Sequence, residues 1–185
     1  KQYFREHGTT LRGLMERHAL APGPFLEHVH DIDLDLLDPA PNLARALARL
    51  PGRKIVFTNA SARHAERVMA RLGIAEQFEA IFDIAAADYR PKPDPVIYAW
   101  LLERHRVDPR AAVMVEDMAR NLKPAHDLGM TTVWIRNESE HARYDLDGED
   151  HLHHVIDDLA TWLDRIAEAR EHAAGDAAGA GHAGP

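Results

Sequence analysis

KIVFTNAS, Lys54 to Ser61, opens with a short apolar run and breaks abruptly into polar residues. A strand buried on both faces reads this way, and its polar end lies at a loop. The next stretch, SARHAERVMARLG, has the 3.6-residue apolar period of a helix. Ser61 is placed to cap its start, and Gly73 to stop it. A strand followed at once by a helix is the unit of a parallel sheet, and the chain repeats it. AIFDI (80–84) reads as a second strand and DYRPKPDP (88–95) as a rigid proline-rich loop. DPVIYAWLLERH reads as a helix, AAVMVED (111–117) as a third strand, MARNLKPAHDLG as a helix restarted or kinked at Pro124, and TTVWIR (131–136) as a fourth strand. This alternation predicts an α/β fold with a Rossmann-like, doubly wound, mostly parallel sheet.

Working outward, the residues before Lys54 read as helices. KQYFREHGTTLRGLMERHAL is helical with a break at Gly8 and a cap at Thr9-Thr10. PGPFLEHVHDI is a second amphipathic stretch, and NLARALARL a third that stops at Pro51-Gly52. Residues 1–38 are expected to form a partial helical cap and 39–171 the α/β core. The alanine- and glycine-rich segment 172–185 is expected to be a disordered tail. VIDDLATWLDRIAEAR reads as the last helix, after an irregular polar stretch from Arg136 to His154.

Composition narrows the partners. The 185 residues carry a formal net charge of −8 with scattered Lys and Arg, so a basic face for nucleic acid is not expected. No apolar run approaches the ~20 residues of a membrane span. The absence of cysteine excludes disulfides, thiolate metal sites and a thiol nucleophile, and fits a cytoplasmic setting.

In a parallel sheet, ligands bind at the carboxyl ends of the strands. Here those ends carry Thr58-Asn59 and Glu116-Asp117, with Lys92 on the loop between. A hydroxyl beside a backbone amide can donate to phosphate oxygens, and a lysine can neutralise phosphoryl charge. Adjacent acids can hold Mg²⁺, which takes hard oxygen ligands. Such a set suits phosphoryl transfer, which needs chiefly positioning and charge stabilisation.

The ordered trio IVFTNAS, DYRPKPDP and VMVEDMARN resembles motifs two, three and four of the haloacid dehalogenase superfamily. The resemblance implies that Thr58 binds phosphate, Lys92 bridges it to the nucleophile, and Asp117 with Glu116 ligates Mg²⁺, with Asn121 steadying the metal loop. Asn59 joins Thr58 and Lys92 among the phosphate-binding candidates. More narrowly, YFREHGTTLRGLMERH, HDIDLDLL and FDIAAADYRPKPDPVIY resemble pyrimidine 5′-nucleotidases of that superfamily. That implies a small phosphorylated substrate such as UMP or CMP, hydrolysed through an aspartyl-phosphate, with Arg12 in the cap facing the substrate. Phosphatases or mutases of sugar phosphates or phosphoglycolate share the fold and are the alternatives, as is a non-catalytic module that binds nucleotide or Mg²⁺.

One motif is not found. The superfamily's first motif, an apolar strand ending Asp-x-Asp-x-Thr, supplies the nucleophile. HDIDLD offers Asp31, Asp33 and Asp35, but Asp35 stands where threonine belongs, and the preceding FLEHVH reads as helix. The interval from Asp33 to Thr58 is also too short for the helix and loops that normally intervene. The sequence starts with Lys1 rather than methionine, so the nucleophile and the central first strand are expected upstream, and residues 1–185 alone to be inactive. The thirteen histidines, including His151, His153 and His154, lack ligand spacing and are expected at the surface. Trp100, Trp134 and Trp162 are expected to pack against the core.

Overall fold

The computed structural model describes residues 2–139 and 148–180. Helices α1 (Gln2–His7), α2 (Thr10–His18), α3 (Pro22–Val29) and α4 (Pro41–Arg49) precede the first strand. Then come β1 (Ile55–Phe57), α5 (Ala62–Leu72), β2 (Ala80–Phe82), α6 (Pro95–His105), β3 (Val113–Glu116), α7 (Lys123–Asp127), β4 (Thr131–Ile135), β5 (His154–Ile156) and α8 (Leu159–Ala180). The helix boundaries follow local chemistry. The Thr9 side chain accepts from Arg12 N at the start of α2, Ser61 does the same for His64 N in α5, and Asp94 for Val96 N in α6. Gly73, at φ 73°, ends α5 in the left-handed region that glycine enters without steric cost.

All strand pairs are parallel. β1 pairs with β2 in the register Val56↔Ile81, and β4 lies between β3 and β5, with Val115↔Val133 and Trp134↔Val155 opposite each other. Alternate residues point to opposite faces of the sheet. Ile55, Phe57 and Phe82 face a core built with Ile97, Tyr98, Leu101, Met114, Leu122 and Trp134. Val56 and Ile81 face the other way, onto Leu47, Met69 and Leu163 from α4, α5 and α8. Helices therefore cover both faces, and the expected doubly wound α/β fold is present.

The sheet is in two pieces, β1–β2 and β3–β4–β5. Among the described residues, β1 and β3 are not paired with one another.

Four expectations change. His154–Ile156, read as irregular chain running into a helix start, is the edge strand β5, because the β-branched Val155 and Ile156 pair with β4. Asp158 then caps the helix by accepting from Thr161 N at 2.7 Å. The segment expected to be disordered from 172 is helical to Ala180, in keeping with alanine's high helix propensity; residues 181–185 lie outside the described ones. His151, expected at the surface, is buried against Ala119 O at 3.1 Å. Trp134 is buried as expected, whereas Trp100 is 37 % exposed. No described helix is long and apolar enough to cross a membrane.

Candidate active site

The strand ends place the candidate residues. Thr58 N donates to Phe82 O at 3.0 Å, extending the β1–β2 ladder by one residue, and Thr58 Oγ1 accepts from Ala60 N at 3.0 Å to turn the chain toward α5. Asp83, just past β2, accepts from Ala62 N at 2.9 Å and Ala86 N at 2.8 Å. It holds together the two loops leaving β1 and β2. Asp83 was not among the sequence candidates; its place one residue beyond an apolar strand was the available signal.

Lys92 comes in from the loop ahead of α6. Its side chain is buried, and Nζ donates to Phe57 O at 2.9 Å and to Glu116 Oε2 at 2.5 Å. The lysine thus spans from the end of β1 to the end of β3. Asn59 meets its backbone on both sides: Lys92 N donates to Asn59 Oδ1 at 2.8 Å, and Asn59 Nδ2 donates to Lys92 O at 3.4 Å.

Glu116 and Asp117 follow β3 directly. Burial pushes the Glu116 carboxyl up, but the Lys92 charge and hydrogen bonds from Asp117, Lys92 and Met118 N more than offset it and hold it below the ordinary range. Asp117 behaves in the opposite way. Its hydrogen bond with Glu116, then burial, then the Glu116 charge push it up to about 6. Two crowded carboxyls share one lysine, and the uncompensated charge falls on Asp117. The Asp117 carbonyl is anchored by Trp134 Nε1 at 3.0 Å and Asn137 Nδ2 at 3.1 Å.

Asn121 lies in the short 3₁₀ turn Ala119–Leu122, where Tyr98 OH donates to its carbonyl at 2.6 Å. Its side chain is 2 % exposed, and Oδ1 has no hydrogen-bond partner among the described residues. Two acidic side chains with excess negative charge and an orphaned amide oxygen on the same loop are hard oxygen donors of the kind a divalent Mg²⁺ takes.

Arg12 stands apart from this group. On α2 it is ion-paired with Glu16 and lines a cleft of about 320 Å³ between the first two helices and the Arg90–Asp94 loop, where His7, Arg90 and Pro93 also contribute. The structure therefore brings together Thr58, Asn59, Lys92, Glu116 and Asp117, with Asn121 on the adjoining turn, and leaves Arg12 across that loop. The aspartates of HDIDLD take no part. Asp31, Asp33 and Asp35 lie in an exposed loop, and Asp33 Oδ1 accepts from Asp35 N at 2.8 Å.

With this geometry in hand, comparison with known proteins settles the family. The model of the haloacid dehalogenase-like hydrolases matches residues 2–129. The chain belongs to that family. A phosphoglycolate phosphatase of Vibrio vulnificus is 28 % identical over 113 residues, which is 60 % of this chain and 47 % of that protein. Bifunctional epoxide hydrolase 2 of Mus musculus is 40 % identical over 52 residues, 28 % of this chain and 9 % of that protein. The chain thus spans less than half the length of these two curated relatives. The haloacid dehalogenase family phosphatase of Thermococcus onnurineus superposes with a TM-score of 0.53 at 22 % identity, covering 80 % of this chain and 64 % of that one. A haloacid dehalogenase-like protein of Agrobacterium tumefaciens superposes at 0.55 with 18 % identity, over 91 % and 88 %. At these identities the superpositions speak for the fold.

Proposed function

We propose that this haloacid dehalogenase-like hydrolase is a Mg²⁺-dependent phosphomonoesterase of the cytoplasm, acting on a pyrimidine nucleoside 5′-monophosphate such as UMP or CMP. The observation that carries the reading is the buried Lys92 ammonium, held between Phe57 O and Glu116 beside Thr58. A cation fixed at that point suits a doubly charged phosphoryl group. The Thr58 hydroxyl donates to a phosphate oxygen, and Lys92 neutralises the charge that develops on the phosphoryl group. The nucleophile is an aspartate outside the described residues: it bonds to phosphorus as the ester oxygen leaves and takes a proton, and water then cleaves the aspartyl-phosphate to free phosphate, so the described residues serve binding and charge stabilisation. Glu116 and Asp117 hold Mg²⁺ with Asn121 steadying their loop, and the ion, when bound, supplies further charge stabilisation to the phosphoryl oxygens. Residues 1–38 act as a partial cap over the core at 39–171, with Arg12 in that cap as the candidate substrate-facing residue.

A second reading, phosphoglycolate as substrate, is favoured by the Vibrio vulnificus relative. One experiment separates the two. Phosphate release from UMP, CMP, phosphoglycolate and a hexose phosphate is measured with the full-length gene product, with and without Mg²⁺. The nucleotidase reading expects UMP and CMP to be turned over first, with Lys92→Ala and Asp117→Asn inactive. Preference for phosphoglycolate replaces the substrate, full activity of either variant overturns the site, and no turnover by the full-length protein leaves a non-catalytic binding module.

A further inference from the structure

Asn59 follows Thr58 at the exit of β1, and both functional groups of its amide are used on a single residue of another loop. The carbonyl oxygen accepts from Lys92 N at 2.8 Å, and the amide nitrogen donates to Lys92 O at 3.4 Å. Two residues before Asn59, the carbonyl of Phe57 accepts from Lys92 Nζ at 2.9 Å. Lys92 is thus held at its backbone by the residue after Thr58 and at its ammonium by the residue before it. Its remaining bond is to the Glu116 carboxylate.

We infer that Asn59 is a positioning residue for Lys92. A lysine side chain has four rotatable carbons and loses much rotamer freedom when its ammonium is fixed. Fixing the Lys92 Cα through both its N–H and its carbonyl removes the backbone part of that freedom. The ammonium then reaches Phe57 O and Glu116 from one starting point. With its oxygen and one of its two amide hydrogens engaged on Lys92, the Asn59 side chain is oriented by that loop. The clamp also couples two loops, since the turn that presents Thr58 is the one that sets Lys92. Its consequence for phosphate chemistry rests on the proposed function, but the clamp is a property of the chain itself.

The test reads the lysine directly, so it does not depend on turnover. The chain has four lysines, Lys1, Lys54, Lys92 and Lys123, whose acetylation by trace acetic anhydride can be followed separately by peptide mass spectrometry. Lys92 should react slowest in the unmodified chain. Asn59→Ala should speed Lys92 labelling roughly three- to tenfold, the size expected for loss of such a hydrogen bond, with Lys54 and Lys123 unchanged. Asn59→Asp keeps the shorter bond of the clamp, from Lys92 N, and should label more slowly than Asn59→Ala, which a general loosening of the loop would not allow. Asn59→Ser, a smaller change with a side chain too short for the clamp, carries the same expectation as alanine and serves if Asn59→Ala does not fold. Lys92 labelling as slow in the Ala or Ser variant as in the unmodified chain overturns the inference, as does an Asp variant that labels as fast as Ala. Failure of the phosphatase reading would leave these labelling ratios untouched.

Discussion

Lys92 and Glu116 form a buried ion pair, 7 % and 8 % exposed, that joins the loop ahead of α6 to the end of β3. It lies where the two pieces of the sheet face each other without pairing. Burying two charges costs several kcal/mol, which the mutual attraction and the bonds to Phe57 O and Met118 N help to offset. Breaking the pair from one side should therefore cost more than removing it altogether. Lys92→Ala is expected to destabilise the chain by about 3–5 kcal/mol, and Lys92→Met combined with Glu116→Gln by much less. Urea unfolding at pH 7 reports both. A double variant as unstable as the sum of its single changes would show that the two charges do not rely on each other.

Asp117 gives a pH-dependent prediction. Its carboxyl is pushed up to about 6 from an ordinary value of 3.8, chiefly by Glu116. An acid raised in the folded state keeps its proton more firmly there than in the unfolded chain. Stability from this group is therefore present below its ordinary value and is lost as pH rises through about 6. Asp117→Asn should raise the melting temperature at pH 8 and change it little at pH 4. A divalent cation should act on the same charge. Millimolar Mg²⁺ at pH 8 is expected to raise the melting temperature of the unmodified chain and leave Asp117→Asn unmoved. An equal Mg²⁺ effect on both would place the cation elsewhere.

The contrast between Thr58 and Asp83 shows what the sequence made legible. Thr58 and Glu116-Asp117 stood out because an apolar run ends in a polar residue at each strand exit, the sheet's parallel sense gathers those exits on one edge, and Lys92 lies on the loop between them. Asp83 follows the same rule, yet its function is local: it ties backbone amides of two loops, a task for which many polar residues would read alike. The edge strand β5 escaped because Val155 and Ile156 run straight into the apolar period of the last helix, and only pairing with β4 defines them as strand. The use of Asn59 on Lys92 lies in a contact between positions 33 residues apart, which no local pattern reveals.

The loop holding HDIDLD is tethered from one side. Arg67 donates to His30 O at 2.9 Å and Ile32 O at 3.1 Å, while Arg71 donates to Leu37 O at 2.8 Å and Asp35 O at 3.0 Å. Both arginines lie one turn apart on α5, so they rise from a single helix face. Charged donors to backbone carbonyls are worth more than neutral ones. Replacing both by alanine should increase cleavage between residues 31 and 38 by an endoprotease specific for aspartate roughly tenfold, with the helical signal of the chain preserved. Unchanged cleavage would mean that the loop is held by its own turns.

At the start of the same helix, His30 and His64 stack with ring centroids 4.3 Å apart and planes 14° from parallel. His30 Nδ1 lies 3.0 Å from Ser61 Oγ, and His64 Nδ1 is buried with no hydrogen-bond partner among the described residues. Burial holds both imidazoles below their ordinary 6.5, aided by His64 against His30 and by Arg67 against His64. A histidine lowered in the folded state takes up its proton more readily when unfolded. The stability it contributes is present above 6.5 and is lost as pH falls below that value. Asp117 works in the reverse direction over part of this window, so the histidines are isolated by difference. His64→Phe retains a ring for the stack and removes the titration. Its urea midpoint should fall less than that of the unmodified chain between pH 7.5 and 5.5, and the two curves should approach each other in acid. Parallel curves across the range would remove the stacked pair as a source of acid sensitivity.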